Sequence, residues 1–401
     1  MALTMKERHS VVKELSRGYL RSRKKNRGHI LDELVSLTGY NRDYAALLLR
    51  GYAHGTVYGP EGVLMKPSVS RTRCRARIYG EDVHKDLSKI WAIYDCHCGK
   101  YMAPGLKEMI RVLEREKEIK LTDDVRQKLL RISPATIDRL LAKEKRSLQI
   151  RGRTHTSAGP LLKHQIPIRT FADWDDHRPG YLEIDLVGHE GGNAKGDYSY
   201  TLTATDIHSA WTEVRIVQNK AQKWVFQAIL DIRAKLPFPV LGIDSDNGSE
   251  FINDQLMRYC KKENIQFTRS RPMKKNDNCY VEQKNNSVVR RAVGYLRYET
   301  DEARSVIGKL YQALNPSVNF FYPVRKVVSK TRKGAKQSRH YDTPATPYQR
   351  LLRCQEISEE TKNELVLKYE SLNPAKLKRT ISKLQQLLWR AAGSPPRKMT
   401  A

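Results

Sequence analysis

The sequence predicts an α/β core, a mixed five-stranded sheet with flanking helices, preceded by helical helix-turn-helix segments and followed by a basic, β-containing tail. Three observations carry this. Apolar periodicity is helical up to about residue 146 and turns strand-like from 180. From there the elements run β-β-β-α-β-α-β-α, three meandering strands and then alternation with helices, unlike the repeated βαβ of a dinucleotide fold. Charge is unevenly divided as well. The 401-residue chain carries a formal +29, yet residues 171–267 hold 15 acidic against 10 basic residues, a net of −5, leaving +34 for the rest.

Residues 1–60 read as a helix-turn-helix DNA-binding domain. VVKELSRGYLRS is helical in period, and Ile30, Leu31, Leu34, Val35 and Leu37 form the apolar face of a second helix. Thr38-Gly39-Tyr40 is a turn, and Asn41 can cap a third helix carrying Arg42, Tyr44 and Arg50. Arg42 and Tyr44 are its candidate DNA contacts, beside the basic run RSRKKNR at 21–27. A basic linker, SRTRCRARIYG at 70–80, leads to a second helical, helix-turn-helix DNA-binding domain at 81–150. There Ser133 is an N-cap and Pro134 the first residue of a helix over 134–144, with Arg139 as its DNA contact. KEKRSLQIRGRTHTSAGP, at 143–160, is a second basic linker.

The α/β core is expected at 170–305. GYLEIDLVGH is its first strand, GGNAKG a glycine-rich turn, and DYSYTLTATDI and WTEVRIVQ the next two strands. AQKWVFQAILDIRAKL is an amphipathic helix and PVLGID a buried strand. Asn247-Gly248 then turns the chain, and Ser249 caps a helix entered at Glu250, Phe251 and Ile252. ENIQFTRSRP supplies a short strand and basic loop, and residues 278–299 a long helix. The remainder, 306–401, is a basic DNA-binding and assembly region. Residues 318–342 are expected as extended or hairpin structure pairing Phe320, Phe321, Tyr322 and Tyr341 with cations, and 376–392 as a last amphipathic helix.

So large a cation excess points to nucleic acid, with an anionic membrane surface as the lesser alternative. No apolar run approaches the ~18–20 residues of a membrane span. MALTMKERHSVVKEL has no signal-peptide core, so a cytoplasmic, nucleoid-associated protein is expected. The six cysteines are too scattered for a disulfide framework, and Cys96-His97-Cys98 is followed by no second pair at zinc-ligand spacing.

Three carboxylates stand out by placement. Asp185 sits mid-strand between Ile and Leu, where a charge is costly unless paired or metal-bound. Asp246 leaves the carboxyl end of a buried strand, where open α/β sheets keep their chemistry. Glu282 borders the buried face of the long helix marked by Val281, Val288, Ala292 and Tyr295. Sixty residues separate Asp185 from Asp246, and 35 separate Asp246 from Glu282. EIDLVGH, DNGSEF and YVEQKNNSVVRR, in that order and at that spacing, resemble the DDE transposases and retroviral integrases, the bacterial insertion-sequence transposases being the nearer relatives. The resemblance covers roughly 175–300 and implies an RNase H-like catalytic core. It assigns catalysis and metal binding to Asp185, Asp246 and Glu282, leaving Asp244 as a supporting neighbour and setting aside Asp206, Glu250 and Asp277. Where retroviral integrases open with a zinc-bound domain, this chain has tandem helix-turn-helix candidates, which suits recognition of a mobile element's terminal repeats.

The implied cofactor is a pair of Mg²⁺ ions, for which Mn²⁺ can substitute, bridged by Asp185 and completed by Asp246 and Glu282. The implied reaction is hydrolysis at an element's 3′ ends, then attack of each 3′-OH on target DNA. Partners would be double-stranded DNA, as element ends and target, and at least one further copy of this chain. Arg271, Lys274 and Lys275 on the loop before Glu282, and Lys284, Arg290 and Arg291 along its helix, are the expected DNA clamps. Two rival readings exist: a domesticated transposase acting as a DNA-binding regulator, and a structure-specific nuclease on the same core.

Overall fold

A computed structural model describes residues 3–53, 57–59, 62–64, 78–147, 178–246, 248, 250–251, 253–269, 279–334 and 336–392. The chain divides into two compact units, Met1–Arg77 and Ile78–Ala401.

In the first unit, α1 (Met5–Tyr19), α2 (Lys24–Thr38) and α3 (Arg42–Ala53) enclose Val12, Tyr19, Leu34, Ala45, Leu48 and Leu49. Thr4 and Glu7 close a capping box on α1. Gly39 ends α2 at φ 70°, donating its N–H to the Val35 carbonyl, a left-handed cap that a side chain would strain. Leu37, expected on the apolar face, is 49% exposed. Thr38 lies four residues beyond Leu34 and takes the buried position, which leaves Leu37 a step off the stripe. A short hairpin, β1 (Val57–Gly59) and β2 (Gly62–Leu64), follows.

The second unit begins with α4 (Glu81–Ile93), α5 (Gly99–Arg115), α6 (Asp123–Arg131), α7 (Pro134–Leu140) and α8 (Ala142–Ser147). Ser133 caps α7 with Pro134 at its first turn, as the sequence predicts. The single helix expected over 134–144 is broken at Leu141 instead. Most of the 143–160 linker lies outside the described residues.

The sheet contains β3 (Tyr181–Gly188), β4 (Tyr200–Asp206), β5 (Thr212–Val217), β6 (Gly242–Ser245) and β7 (Gln266–Arg269), in spatial order β5-β4-β3-β6-β7. The first three pair antiparallel, while β6 and β7 add in parallel through α9 (Gln222–Arg233) and α10 (Asp254–Lys262). This is the mixed five-stranded sheet the element order calls for. One helix start differs: α10 begins at Asp254, where the Asn253 side chain accepts the Leu256 N–H at 2.9 Å. Phe251, fully buried, and the bond from Asn253 Nδ2 to the Glu250 carbonyl hold the preceding residues in a turn rather than a helix.

The helix carrying Glu282 comprises α11 (Cys279–Lys284), a wide π turn (Asn285–Arg290) and α12 (Arg291–Val293). It stops at Gly294, φ 74°, short of the expected residue 299, because Arg297 bridges Glu190 and Tyr298 bonds His189 and Ser199. Then come α13 (Asp301–Pro316) with a π turn to Phe321, the hairpin β8 (Val327–Lys333) and β9 (Lys336–Tyr341), α14 (Pro347–Arg353), α15 (Glu359–Glu370) and α16 (Pro374–Ala391). Asn315 and Asn319 satisfy the edge strand β5 by accepting the Val214 and Thr212 N–H groups at 3.3 and 2.8 Å. Phe320, Phe321 and Tyr322, expected in extended or hairpin structure, instead end the α13 segment as core residues. Phe320 meets Trp211 and Tyr348 at centroid distances of 5.4 and 5.2 Å, an aromatic cluster no local pattern reveals.

Candidate active site

Alternation along YLEIDLVG divides β3 between two environments. Leu182 and Ile184 join the apolar layer with Ile243, Ile229 and Ile232. Glu183 and Asp185 face the helix of Glu282. The parallel register of β3 and β6 sets Glu183 beside Asp244 and Ile184 beside Ser245, so Asp185, still on β3, and Asp246, the first residue past β6, follow one step later. Thr203 lies opposite Asp185 on β4.

Asp185 is partly buried. Its Oδ1 accepts the Leu186 N–H at 2.8 Å and its Oδ2 accepts Asn285 Nδ2 at 2.6 Å. Burial raises its pKa most, the charge of Asp246 adds to this and that of Glu282 contributes further; the two hydrogen bonds oppose them, and the carboxyl ends up at about 8. Asp246 is held by the Gly248 N–H, donating to its Oδ1 at 2.9 Å. Glu282 is exposed on α11. The two aspartates are thus brought together by strand register, and Glu282 is near enough for its charge to act on Asp185.

Two residues that the sequence reading passed over complete this arrangement. Glu183 is fully buried, and its Oε2 accepts the Tyr280 and Val281 N–H groups at 2.9 and 3.1 Å. A carboxylate there satisfies the unpaired amides of the helix start and suits its positive end. Glu183 therefore positions the segment that carries Glu282. The signal was available, since a residue two before Asp185 on a strand shares its face. Asn285 stands three residues after Glu282, on the same side of the helix, and the π turn begins at it.

Three carboxylates form a set of hard oxygen donors of the kind Mg²⁺ prefers, and a carboxyl held protonated by burial and by neighbouring like charge is one that a divalent cation would ionise. Asp185, Asp246 and Glu282 are the residues that would hold such an ion. Among the described residues, no three His, Cys, Asp or Glu side chains already converge to enclose one.

An integrase core domain model matches residues 175–275, the stretch that holds both aspartates. The chain has an integrase-type catalytic core. It is also 34% identical over 351 residues to the uncharacterized protein y4rM of Sinorhizobium fredii (strain NBRC 101917 / NGR234), covering 87% of this chain and 96% of that protein, and belongs to the same family. Similar solved structures include the HTLV-2 integrase catalytic core domain in complex with magnesium, in dimeric form. It shares 16% identity, with 36% of this chain and 90% of that chain covered and a TM-score of 0.29. The BIV integrase catalytic core domain shares 18% identity, with 42% and 91% covered and a TM-score of 0.30. An integrase core marks a metal-dependent nucleotidyl transferase or nuclease.

Around this integrase core the other expected site residues are placed variously. Asp244 is fully buried and accepts Thr268 Oγ1 at 2.5 Å; Asp206 accepts the Gly180 and Ser209 N–H groups at 2.8 and 2.6 Å and ties a turn. Lys284, expected as a DNA clamp, is only 6% exposed; burial, with Arg350 nearby, pushes its amine down to about 8. It faces inward because position 284 lies three residues past Val281 on the buried stripe. Arg290 Nη2 donates to the Gly188 carbonyl at 2.8 Å, at the end of β3. Arg291 is paired with Asp95, which also receives Lys378 at 2.6 Å. Burial opposes ionisation of Asp95, but these two cations more than offset it and hold the carboxyl at about 2. Arg290 and Arg291 thus tie the integrase core to its own backbone and neighbouring helices.

Arg139 donates to Thr136 on its own helix at 3.1 Å, and α7 is docked on α5 through the Gly99 N–H, which Asp138 accepts at 2.8 Å. Arg42 pairs with Asp32, and Tyr44 is 46% exposed, edge-on to Tyr40. Arg271, Lys274 and Lys275 lie outside the described residues. Among the described residues no helix is long and apolar enough to cross a membrane.

Proposed function

We propose that this protein is a transposase. It binds the terminal inverted repeats of a mobile element, cleaves the 3′ ends by metal-dependent hydrolysis and joins them to target DNA. The observation that carries this reading is the placement of Asp185 on β3 and of Asp246 directly past the paired strand β6, where its charge acts on Asp185, with Glu282 close enough to raise the Asp185 carboxyl further.

A divalent cation held by these carboxylates would activate the attacking oxygen and stabilise the leaving one. The chain's own contribution is positional. Strand register fixes two carboxylates relative to one another, Glu183 anchors the start of the third one's helix, and Asn285 orients Asp185 through its Oδ2. Water and a DNA 3′-OH serve as successive nucleophiles, so no Ser or Tyr need form a bond to DNA. Joining two ends to one target requires two such sites, hence at least two copies of the chain on DNA.

The test is a Mg²⁺-dependent assay on labelled duplexes bearing the element's ends, scored for nicking and for joined products. Asp185→Ala, Asp246→Ala and Glu282→Ala should each abolish both products while DNA binding persists. Nicking without joined products would favour the nuclease, and binding without either reaction the regulator.

A further inference from the structure

The hairpin of β8 and β9 pairs with no other strand among the described residues. It turns at Gly334, φ 59°, and stands clear of the hydrophobic core: Val328 is 71% exposed, and Arg332, Arg339 and His340 are exposed as well. Its root is secured. Val324 bridges Ala345, Asp342 accepts the Lys326 N–H at 2.7 Å, and Arg325 lies over the Tyr341 ring at 4.5 Å.

A lone two-stranded ribbon is marginal in water, and this one carries charge of a single sign. Residues 325–341 contain seven Lys and Arg and no Asp or Glu, whereas a surface that serves only solubility mixes the two signs. Such a ribbon is relieved of its self-repulsion by a polyanion.

The geometry points to duplex DNA as that polyanion, with the ribbon laid in the major groove. Paired strands lie about 4.8 Å apart. With side chains added, a ribbon fits the roughly 12 Å major groove and is too broad for the roughly 6 Å minor groove. By the two-residue period of a strand and this register, Arg332 and Arg339 share one face. Arginine is the donor-bearing type that reads guanine edges. This face is turned to the groove floor, and the face with Ser329, Thr331, Ser338 and His340 is turned outward. The site rests on the reading that the protein acts on DNA, and adds a contact separate from the carboxylates.

The full chain is titrated onto a 30-base-pair duplex across a salt series, with chemical protection of guanine N7 as the major-groove readout. Arg332→Ala with Arg339→Ala should weaken binding about 10–100-fold, lower the salt slope by about two and remove a patch of N7 protection. Arg332→Glu brings an acidic group onto an otherwise all-cationic ribbon and so eases its self-repulsion, yet should also weaken binding at least tenfold. If the parent binds and these variants bind equally well, the ribbon is no DNA contact. Unchanged N7 protection in weakened variants, or a minor-groove ligand that competes with the ribbon, would refute the groove assignment. Arginine-dependent binding to anionic vesicles in place of DNA would overturn the choice of partner. A parent that binds no duplex at all would instead count against the proposed function.

Discussion

Replacing Asp185 with Asn should stabilise the metal-free protein at alkaline pH. The carboxyl titrates near 3.8 in an unfolded chain and at about 8 in the fold, raised by burial and then by Asp246 and Glu282. Below pH 4 it is protonated in both states and has no effect. As pH rises through 3.8 the unfolded chain ionises first, so the parent loses stability steadily until pH passes 8, where the loss levels off. At 1.36 kcal/mol per pKa unit, the loss is on the order of 5 kcal/mol. Asn keeps an oxygen for the Leu186 N–H, and Asn285 can turn its Oδ1, which has no hydrogen-bond partner, to the new amide. Urea unfolding of parent and variant in EDTA, from pH 4 to 9, should show equal stability at the acid end and a variant advantage that grows to several kcal/mol. Saturating Mg²⁺ should reverse the order, since a bound ligand stabilises only the form that holds it. A difference that stays flat with pH, or a variant less stable than the parent at pH 9 without metal, would refute the assignment of a mutually repelling carboxylate site.

Lys284→Met should raise stability at pH 7 by about 2–3 kcal/mol, because a buried amine lowered from 10.5 to about 8 opposes folding below that range. The advantage should fade between pH 8 and 10.5, as the unfolded amine also loses its proton, which urea unfolding at pH 7 and 10.5 checks. Glu183→Gln weakens the cap on α11, so Mg²⁺-dependent nicking should fall about tenfold with unchanged DNA affinity and a stability loss of about 1–2 kcal/mol. Gly39→Ala should destabilise the first unit by about 1 kcal/mol through its positive φ alone, since a Cβ there meets no atom within 4 Å; thermal melting of residues 1–77 would show it.

The order and hydrophobic alternation of strands and helices determined the mixed sheet, because side-chain period is a local property that each segment displays alone. The periods placed Asp185 on a strand, Asp246 at a strand end and Glu282 on a helix, but it was the resemblance to DDE transposases and integrases that joined the three at their spacing into one candidate site. What those periods leave open is which neighbour a side chain meets. Lys284, Arg290 and Arg291 look alike in sequence, three cations on one helix. Only the tertiary surroundings buried Lys284, clamped Arg290 to Gly188 and paired Arg291 with Asp95. Glu183 shares a face with Asp185 by alternation, but its role depends on α11 starting against it, nearly 100 residues later. The helix start moved from 249 to 254 and Phe320 turned inward for the same reason. Burial of Phe251 and the tilted ring contact of Phe320 with Tyr348 are long-range gains of apolar contact, which outweigh the local preference for a cap or an extended strand.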